Sequence, residues 1–365
     1  MQSGDVLKDG LPAEPDAKKP RSASTNLLIW VHALTFLLGL VLLGLVVYKI
    51  GYQDILTSVG HVGWGFVVIL ALNVSRHLLR AASMYLAIAP EVRTFKYRSA
   101  VAARFGGEAV TFFTFTGPFL GDATKAVLLK KNLALTHGAA AVIIDNILYY
   151  VTVILVVLGG IAILLFNYGS NGSAMTNVLL IIVASSVLMF AALLLAILYK
   201  VKPLTHFIDF LANRNLAPGF VLKRRENILD VENNVFQFYH DRRADFFKVF
   251  CISLSVHAVS VAEVHLALKF LGYDSNLSVA FIIESLTKVI NAVFSFIPGT
   301  IGVYEGGNGL ILKTLGYTTA VGVALALVRR GAILFSTLIG LIILVWRTAA
   351  RGAKHLSQQR GIVKE

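Results

Sequence analysis

Six apolar stretches in this chain are each long enough to cross a lipid bilayer. A spanning helix needs about 20 consecutive apolar residues, and the stretches lie at about residues 27–50, 64–89, 138–166, 177–199, 247–271 and 319–346. Apolar residues make up 56% of the 365 residues and charged residues only 15%, whereas a soluble domain carries about 25% charged residues. The sequence therefore predicts an all-α, polytopic membrane protein.

Net charge and cysteine content narrow the functional class. The net charge is +13, and in a membrane protein this excess is explained by Lys and Arg on the cytoplasmic side, so no nucleic-acid partner is expected. Cys251 is the single cysteine, which rules out an internal disulfide. The nine histidines show no metal-ligand spacing, and no GxxxxGK[ST] loop is present, so no metal, cofactor or nucleotide hydrolysis is expected.

The distribution of Lys and Arg predicts the orientation in a cytoplasmic (inner) membrane. Of 33 such residues, 21 lie in four segments: 4 in residues 1–26, 3 in 90–98, 9 in 200–248 and 5 in 347–365. The linkers at 51–62, 167–175 and 271–277 contain none. Because cationic loops remain in the cytoplasm, both termini are expected there, with six crossing helices.

Three polar segments flank or interrupt the spans. Residues 1–26 are predicted to be a disordered cytoplasmic tail, and residues 348–365 a basic cytoplasmic tail. The basic segment 200–247 carries apolar residues at helical spacing, which predicts an amphipathic helix on the membrane surface. Those residues are Ile228, Val231, Val235 and Phe238.

Two regions contain a helix breaker inside an apolar stretch. Residues 99–133 are interrupted at Gly117-Pro118, and residues 278–316 at Pro298-Gly299. Proline removes a backbone donor and glycine permits unusual angles, so a helix is expected to end at each site. Broken backbone at membrane depth needs protein or water around it. Each region is therefore predicted to be a re-entrant hairpin, the first entering from the cytoplasm and the second from outside.

The two broken regions also align as an internal repeat. An offset of 182 residues places Gly117 on Gly299 and Thr136 on Thr318, in units at about residues 98–166 and 278–346. Because the hairpins are expected on opposite sides, the repeat is predicted to be inverted, which is typical of transporters with a site near the midplane. A helical pump or channel without repeats is the alternative.

Two arginines within the second span suggest an anion site. Arg76 and Arg80 are four residues apart and share one helix face. Guanidinium groups bind phosphate through a planar fork. The alternative is that both arginines pair with buried carboxylates and only hold helices together.

Other charged residues within the spans are candidates for neutralising those cations or for carrying protons. Asp145 and Glu263 lie inside predicted spans, while Glu284 and Lys288 are spaced for an ion pair on one helix. Arg329-Arg330 are adjacent and so point about 100° apart on a helix. At most one of the two is expected to face a central cavity.

The start of each returning half-helix is a third candidate for anion binding. Free N–H groups and the helix dipole favour anions at such ends, and Gly121 and Gly302 are the expected starts. The nearby acids Asp122 and Glu305 either cap these helices or compete with an anionic headgroup. Lys125, one turn after Asp122, serves either role.

Two sequence stretches resemble one known family of membrane domains. They are FTFTGPFLGDATKAVLLKK, followed by Asp145, and SFIPGTIGVYEGGNGLILKTLGYTTA, followed by VRR. Over about residues 27–347 the chain resembles the flippase-like family named after the transmembrane part of lysylphosphatidylglycerol synthase. The resemblance implies movement of an anionic amphiphile between leaflets, without the aminoacyl-transferase domain of bifunctional members. It also implies a polar core at Arg80, Asp122, Asp145, Glu305 and Arg329.

These observations favour a lipid translocator that is not an enzyme and that binds anionic headgroups. Two alternatives stay open: a membrane-embedded transferase acting on a lipid phosphate, or a non-catalytic partner subunit. A homo-oligomer or a cytoplasmic lipid-modifying enzyme is a further candidate partner. The predicted substrate-binding residues are Arg76, Arg80, Gly117, Pro118, Gly121, Asp122, Lys125, Pro298, Gly299, Gly302, Glu305, Arg329 and Arg330. The predicted residues for proton or charge coupling are Asp145, Glu263, Glu284 and Lys288.

Overall fold

A computed structural model of the chain describes residue 53 and residues 60–114, 117–130, 133–168 and 173–362. The described residues form helices joined by short connections, and they contain no β-strand. The helices are α1 (Gly65–Ala87), α2 (Tyr97–Phe113), α3 (Gly117–Leu129), α4 (Leu135–Tyr168), α5 (Ser173–Leu198), α6 (Pro203–Asn213), α7 (Gly219–Leu222), α8 (Arg225–Asp241), α9 (Arg243–Phe270), α10 (Leu277–Val293), α11 (Val303–Thr314) and α12 (Thr319–Ile362). The expected all-α class is confirmed.

Five of these helices, α1, α4, α5, α9 and α12, are long and apolar enough to cross a membrane. They coincide with five of the six predicted spans, which confirms a polytopic membrane protein. The predicted span at 27–50 and the tail at 1–26 lie outside the described residues. Helix α12 does not end near Trp346 but continues to Ile362, through most of the predicted basic tail.

Both predicted helix breaks are present, and each separates two helices of less than full span. Helices α2 and α3 contain 17 and 13 residues, and α10 and α11 contain 17 and 12. At 1.5 Å per residue these helices are about 26, 20, 26 and 18 Å long, shorter than the roughly 30 Å hydrocarbon core. None of them is long enough to cross the bilayer alone and upright.

The first break lies between Phe113 and Gly117, next to the predicted position at Gly117-Pro118. Helix α2 ends at Phe113, and Pro118 is the second residue of α3. Proline is tolerated in a first helical turn because its missing N–H would have no partner there. Pro118 is therefore compatible with the first turn of α3.

The second break is built from residues with positive φ angles. After α10, residues Pro298–Thr300 form a single 3-10 turn, and α11 begins at Val303. The φ angles are 61° at Gly299, 51° at Thr300 and 79° at Gly302. Glycine adopts this left-handed region readily, which explains why two glycines are needed where the chain reverses.

Gly121 is not the start of a half-helix, as the sequence suggested, because α3 has begun one turn earlier at Gly117. Its role is close packing of α3 on α2. A Cβ atom added at Gly121 would lie 1.8 Å from the Thr111 hydroxyl oxygen and 2.7 Å from the Gly107 carbonyl oxygen. Only a residue without a side chain allows this approach of the two helices.

We expect Gly121→Val to force α2 and α3 apart and to lower the melting temperature in detergent. Overpacking costs about 1–3 kcal/mol where the neighbour can shift, and the Gly107 backbone oxygen is held within its helix. Ala123→Val is the control, because Ala123 is exposed on the same helix. Equal melting temperatures for the two variants, followed by circular dichroism, would contradict this packing.

The helices enclose two apolar cores. One contains residues of α1, α4, α5, α9, α10, α11 and α12. The other contains residues from the end of α1, from α2, α3, α8 and α9, and from the first half of α4, on which α8 packs. Val235 and Phe238 are buried in this second core. The amphipathic helix predicted in this segment is present as α8, and its apolar face packs on the protein.

Candidate functional site

Charged side chains from eight long or half-length helices meet inside the bundle. The described residues place seven cations and six carboxylates in ion pairs there. The cations are Arg76, Arg80, Arg104, Lys125, Lys288, Arg329 and Arg330, and the carboxylates are Glu108, Asp122, Asp145, Glu263, Glu284 and Glu305. Buried charges in a membrane are costly unless they are paired. Most of the predicted site residues belong to this network of pairs.

The first part of the network is centred on Asp145 of α4. Its carboxylate lies 2.8 Å from Arg80 of α1 and 3.8 Å from Arg104 of α2, and it accepts a 2.5 Å hydrogen bond from Ser83. Arg104 also pairs with Glu108 at 3.0 Å, one turn along α2. One carboxylate thus holds three helices together.

Asp122 lies beside this cluster. One alternative was that it caps α3, but it does not. It is the sixth residue of α3, pairs with Lys125 at 2.8 Å, and accepts a 2.5 Å hydrogen bond from the Asn146 amide. The Asn146 oxygen in turn accepts a 2.9 Å hydrogen bond from Arg80. Asn146 therefore connects the hairpin of α2 and α3 to α1.

The second part of the network encloses Arg329. Glu263 accepts hydrogen bonds from Arg76 at 2.7 Å and Arg329 at 3.0 Å. Glu284 accepts from Arg329 at 2.9 Å and pairs with Lys288 at 2.8 Å. The pair of Glu284 and Lys288 has the expected spacing but is shared with Arg329. Arg329 is 4% exposed and lies between two carboxylates, so it is closed off from the cavities described below.

Tyr149 of α4 joins the two parts of the network. Its hydroxyl accepts a 3.0 Å hydrogen bond from Lys288, and the Arg80 guanidinium lies 3.9 Å from its ring centre. A cation over an aromatic face is stabilised, more so away from water. The charges of the two halves are therefore coupled through one ring.

The second break is held by Arg330. Its guanidinium pairs with Glu305 and donates to the carbonyl oxygens of Gly299 at 2.8 Å and Thr300 at 3.4 Å. Glu305 accepts a 2.7 Å hydrogen bond from the Gly302 N–H, so it caps α11, as one alternative proposed. Because the Gly302 N–H is occupied by this cap, it is not a free donor for an anion.

A cavity of about 210 Å³, here called cavity 1, lies against the first part of the network. It is lined by Arg76, His77, Arg80, Arg104, Glu108, Thr111, Pro118, Asp122, Lys125, Asn146, Tyr149, Tyr150 and Val256. Arg76 and Arg80 share this wall, as their spacing predicted, and each also pairs with a carboxylate. Both alternatives raised for these arginines thus have a basis in the geometry.

Several residues of cavity 1 were missed by sequence reasoning, namely His77, Arg104, Glu108, Asn146 and Tyr149. The available signal was the pair Arg104 and Glu108, spaced four apart in an otherwise apolar region. Asn146 and Tyr149 follow Asp145 along α4, but uncharged residues in a span carry little signal of their own.

A second cavity of about 260 Å³, cavity 2, lies where the two breaks meet. Pro118 from the first hairpin and Gly299, Thr300 and Arg330 from the second all line it. Cavities 1 and 2 share Glu108, Thr111 and Pro118, so these residues form their common wall. Of the two adjacent arginines, Arg330 faces a cavity.

The chemistry of cavity 1 suits an anion. Among the described residues, six buried guanidinium nitrogens have no hydrogen-bond partner, and five of them belong to arginines that line cavity 1: Nε of Arg76, Nε and Nη1 of Arg80, and Nε and Nη1 of Arg104. The network also contains one more cation than carboxylates. No group of three or more metal-ligating side chains occurs in the described part of the chain.

Long apolar helices, two pairs of half-length helices and an enclosed ionic network define a polytopic α-helical membrane protein with a charged core. Residues 32–340 match the family model described as the lysylphosphatidylglycerol synthase TM region. The chain belongs to this family, which confirms the resemblance drawn from its two broken regions. Comparisons with curated proteins and with solved structures found no significant match.

Proposed function

We propose that this protein is not an enzyme but moves an anionic phospholipid between the leaflets of the cytoplasmic membrane. The observation that carries the proposal is the wall of cavity 1, where Arg76, Arg80, Arg104 and Lys125 face one space inside the bundle. A phospholipid phosphate would accept charge-assisted hydrogen bonds from the arginines of this wall. Membership of a lipid-related membrane family supports this class of substrate.

The proposed path for the headgroup runs from cavity 1 to cavity 2. The two cavities have a common wall at Glu108, Thr111 and Pro118, so a headgroup held by Arg104 reaches cavity 2 when Glu108 turns away from that arginine. Glu108 suits this role because it is more exposed than the other network carboxylates except Asp122, with 29% of its side chain accessible.

The proposed topology has both termini in the cytoplasm, with α2–α3 and α10–α11 as re-entrant hairpins in an inverted repeat. The short lengths of these four helices support it, as does the charge of the polar segments. The two breaks then meet near the midplane, as in other inverted repeats.

Proton or charge coupling is the proposed role of Asp145, Glu263, Glu284 and Lys288. Asp145, Glu263 and Glu284 hold Arg80, Arg76 and Arg329 in place when no headgroup is bound. Displacement of a carboxylate by phosphate would leave it free to take up a proton, which is the proposed route for coupling to an ion gradient. Pro298, Gly299, Glu305 and Arg330 are assigned to maintaining the second break.

The test is a transport assay on purified protein in vesicles. Phosphatidylglycerol with a fluorescent acyl chain is placed in both leaflets, and dithionite destroys the fluorophore outside. We expect protein-containing vesicles to lose nearly all of the fluorescence, whereas vesicles without protein lose only the outer half. Loss limited to the outer half in both preparations would overturn the proposal. A parallel measurement with fluorescent phosphatidylcholine reports whether headgroup charge matters.

A further inference from the structure

Helix α6 is attached to the outside of the bundle through α8. Glu232 of α8 accepts hydrogen bonds from the Leu204 N–H at 2.8 Å, from the Thr205 N–H at 3.3 Å and from the Thr205 hydroxyl. The two N–H groups lie in the first turn of α6, where a helix offers them no partner of its own. Asp209 accepts two hydrogen bonds from Arg225, at 2.6 and 2.8 Å. One face of α6 is thus fixed on the protein.

The neighbouring face of α6 is apolar and exposed. Leu204, Phe207 and Phe210 are 50%, 59% and 49% exposed, whereas Ile208, which points toward the protein, is buried. At 100° per residue the three exposed side chains lie within about 120° of one another. A stripe of this kind on a short helix is unfavourable in water and suits an apolar boundary.

The chain segment that carries the exposed stripe is basic. Residues 199–224 contain five cations and one acid. The acid is Asp209, and the hydrogen bonds from Arg225 lower the pKa of its carboxyl, so it stays ionised and paired. The Arg214 guanidinium lies 4.5 Å from the Phe210 ring centre. The cations are Lys200, Lys202, Arg214, Lys223 and Arg224.

The position of α6 along the chain places it at a bilayer boundary. Helix α5 is long enough to span and ends at Leu198, and α6 begins at Pro203. Five residues of chain reach at most about 17 Å, so the start of α6 stays close to the end of a spanning helix. Tyr199, which is exposed, lies at the junction, a position where membrane proteins favour aromatic residues.

We propose that α6 lies in the membrane interface, with Leu204, Phe207 and Phe210 in the acyl-chain boundary and the surrounding cations on anionic lipid headgroups. The occupant of the exposed face is thus an anionic lipid surface and not a soluble protein. Basic charge beside an apolar stripe matches such a surface. This inference is independent of lipid translocation, because it concerns attachment of the α6–α8 pair to the leaflet.

The test places a fluorescent probe on α6 in vesicles of known lipid. Cys251 is exposed and is the single cysteine, so Cys251→Ser provides a background for Phe207→Cys and, as the matched control, Asn213→Cys on the polar face. Each is labelled with an environment-sensitive dye. Brominated phosphatidylcholine or brominated phosphatidylglycerol in the vesicle quenches dye that enters the acyl region, and iodide quenches dye in water.

We expect the dye at position 207 to be quenched by brominated lipid and shielded from iodide, with the opposite result at position 213. Brominated phosphatidylglycerol should quench more strongly than brominated phosphatidylcholine at low salt. Replacing Lys200, Lys202 and Arg214 by Gln should remove this preference while leaving lipid quenching in place. Equal iodide quenching at both positions would overturn the proposal, as would an equal effect of the two lipids. Shielding that appears only after addition of cytosolic protein would assign the face to a protein partner instead. None of these readings depends on transport, so the two proposals fail separately.

Discussion

Replacement of Arg104 by Gln is expected to lower the rate of phosphatidylglycerol translocation by about tenfold or more at limiting lipid, because a charge-assisted hydrogen bond contributes about 1.5–3 kcal/mol. Arg104 lines cavity 1. Two of its buried guanidinium nitrogens have no hydrogen-bond partner among the described residues. Its removal leaves Asp145 paired with Arg80 at 2.8 Å, so the fold should survive. The measurement is the dithionite assay at several mole fractions of labelled lipid.

The matched control for this variant is Arg98→Gln. Arg98 lies on the same helix α2 but is exposed and does not line either cavity. We expect it to translocate lipid at the wild-type rate. If both variants transport equally well, with unchanged melting temperatures, the headgroup does not depend on Arg104 and the proposed site is wrong. Arg104→Lys keeps the charge without the planar fork and is expected to give an intermediate rate.

Replacement of Arg329 by Met is expected to destabilise the protein by about 3–5 kcal/mol, the usual effect of removing one partner from a buried ionic group. Arg329 donates to both Glu263 and Glu284 from different helices. Without it, each carboxylate keeps a single cation, Arg76 or Lys288. Thermal unfolding in detergent, followed by circular dichroism, measures the loss.

A second substitution shows whether that loss comes from charge. In the double variant Arg329→Met with Glu284→Gln, one of the two buried carboxylates that lost Arg329 is replaced by a neutral amide, so we expect part of the stability to return. The Arg329→Lys variant should be less stable than wild type but more stable than Arg329→Met, since lysine supplies charge without the fork. A stability of Arg329→Met equal to that of wild type would show that the ionic network does not hold α9, α10 and α12 together.

The long helices and the breaks were predictable because they depend on local chemistry. An apolar stretch of sufficient length forms a helix in lipid whatever its neighbours, since every backbone group must be satisfied within the segment. Gly117, Pro118 and Gly299 end or begin helices because of their own backbone restrictions. The shared face of Arg76 and Arg80 followed in the same way from helical spacing.

The partners of those charges were not predictable, because they come from distant parts of the chain. Arg76 pairs with Glu263, which is 187 residues away, and Arg80 donates to Asn146, 66 residues away. Arg104 lies in a region that was predicted only to be part of a hairpin. In the structure, α2 packs beside α1, and Arg104 lies 3.8 Å from Asp145 of α4. Spacing identifies a face, but it does not identify what that face meets.

Helices α6 and α8 show the same difference between what helical spacing predicts and what the tertiary structure decides. Both show apolar residues at helical spacing in one basic segment, and the sequence favoured the stripe on α8 as the membrane-facing one. The structure buries that stripe against α4 and leaves the stripe on α6 exposed. Amphipathic periodicity by itself determines that a helix has an apolar face. Whether protein or lipid covers that face is decided by which helices pack together, since burial against either medium gives a similar gain in free energy.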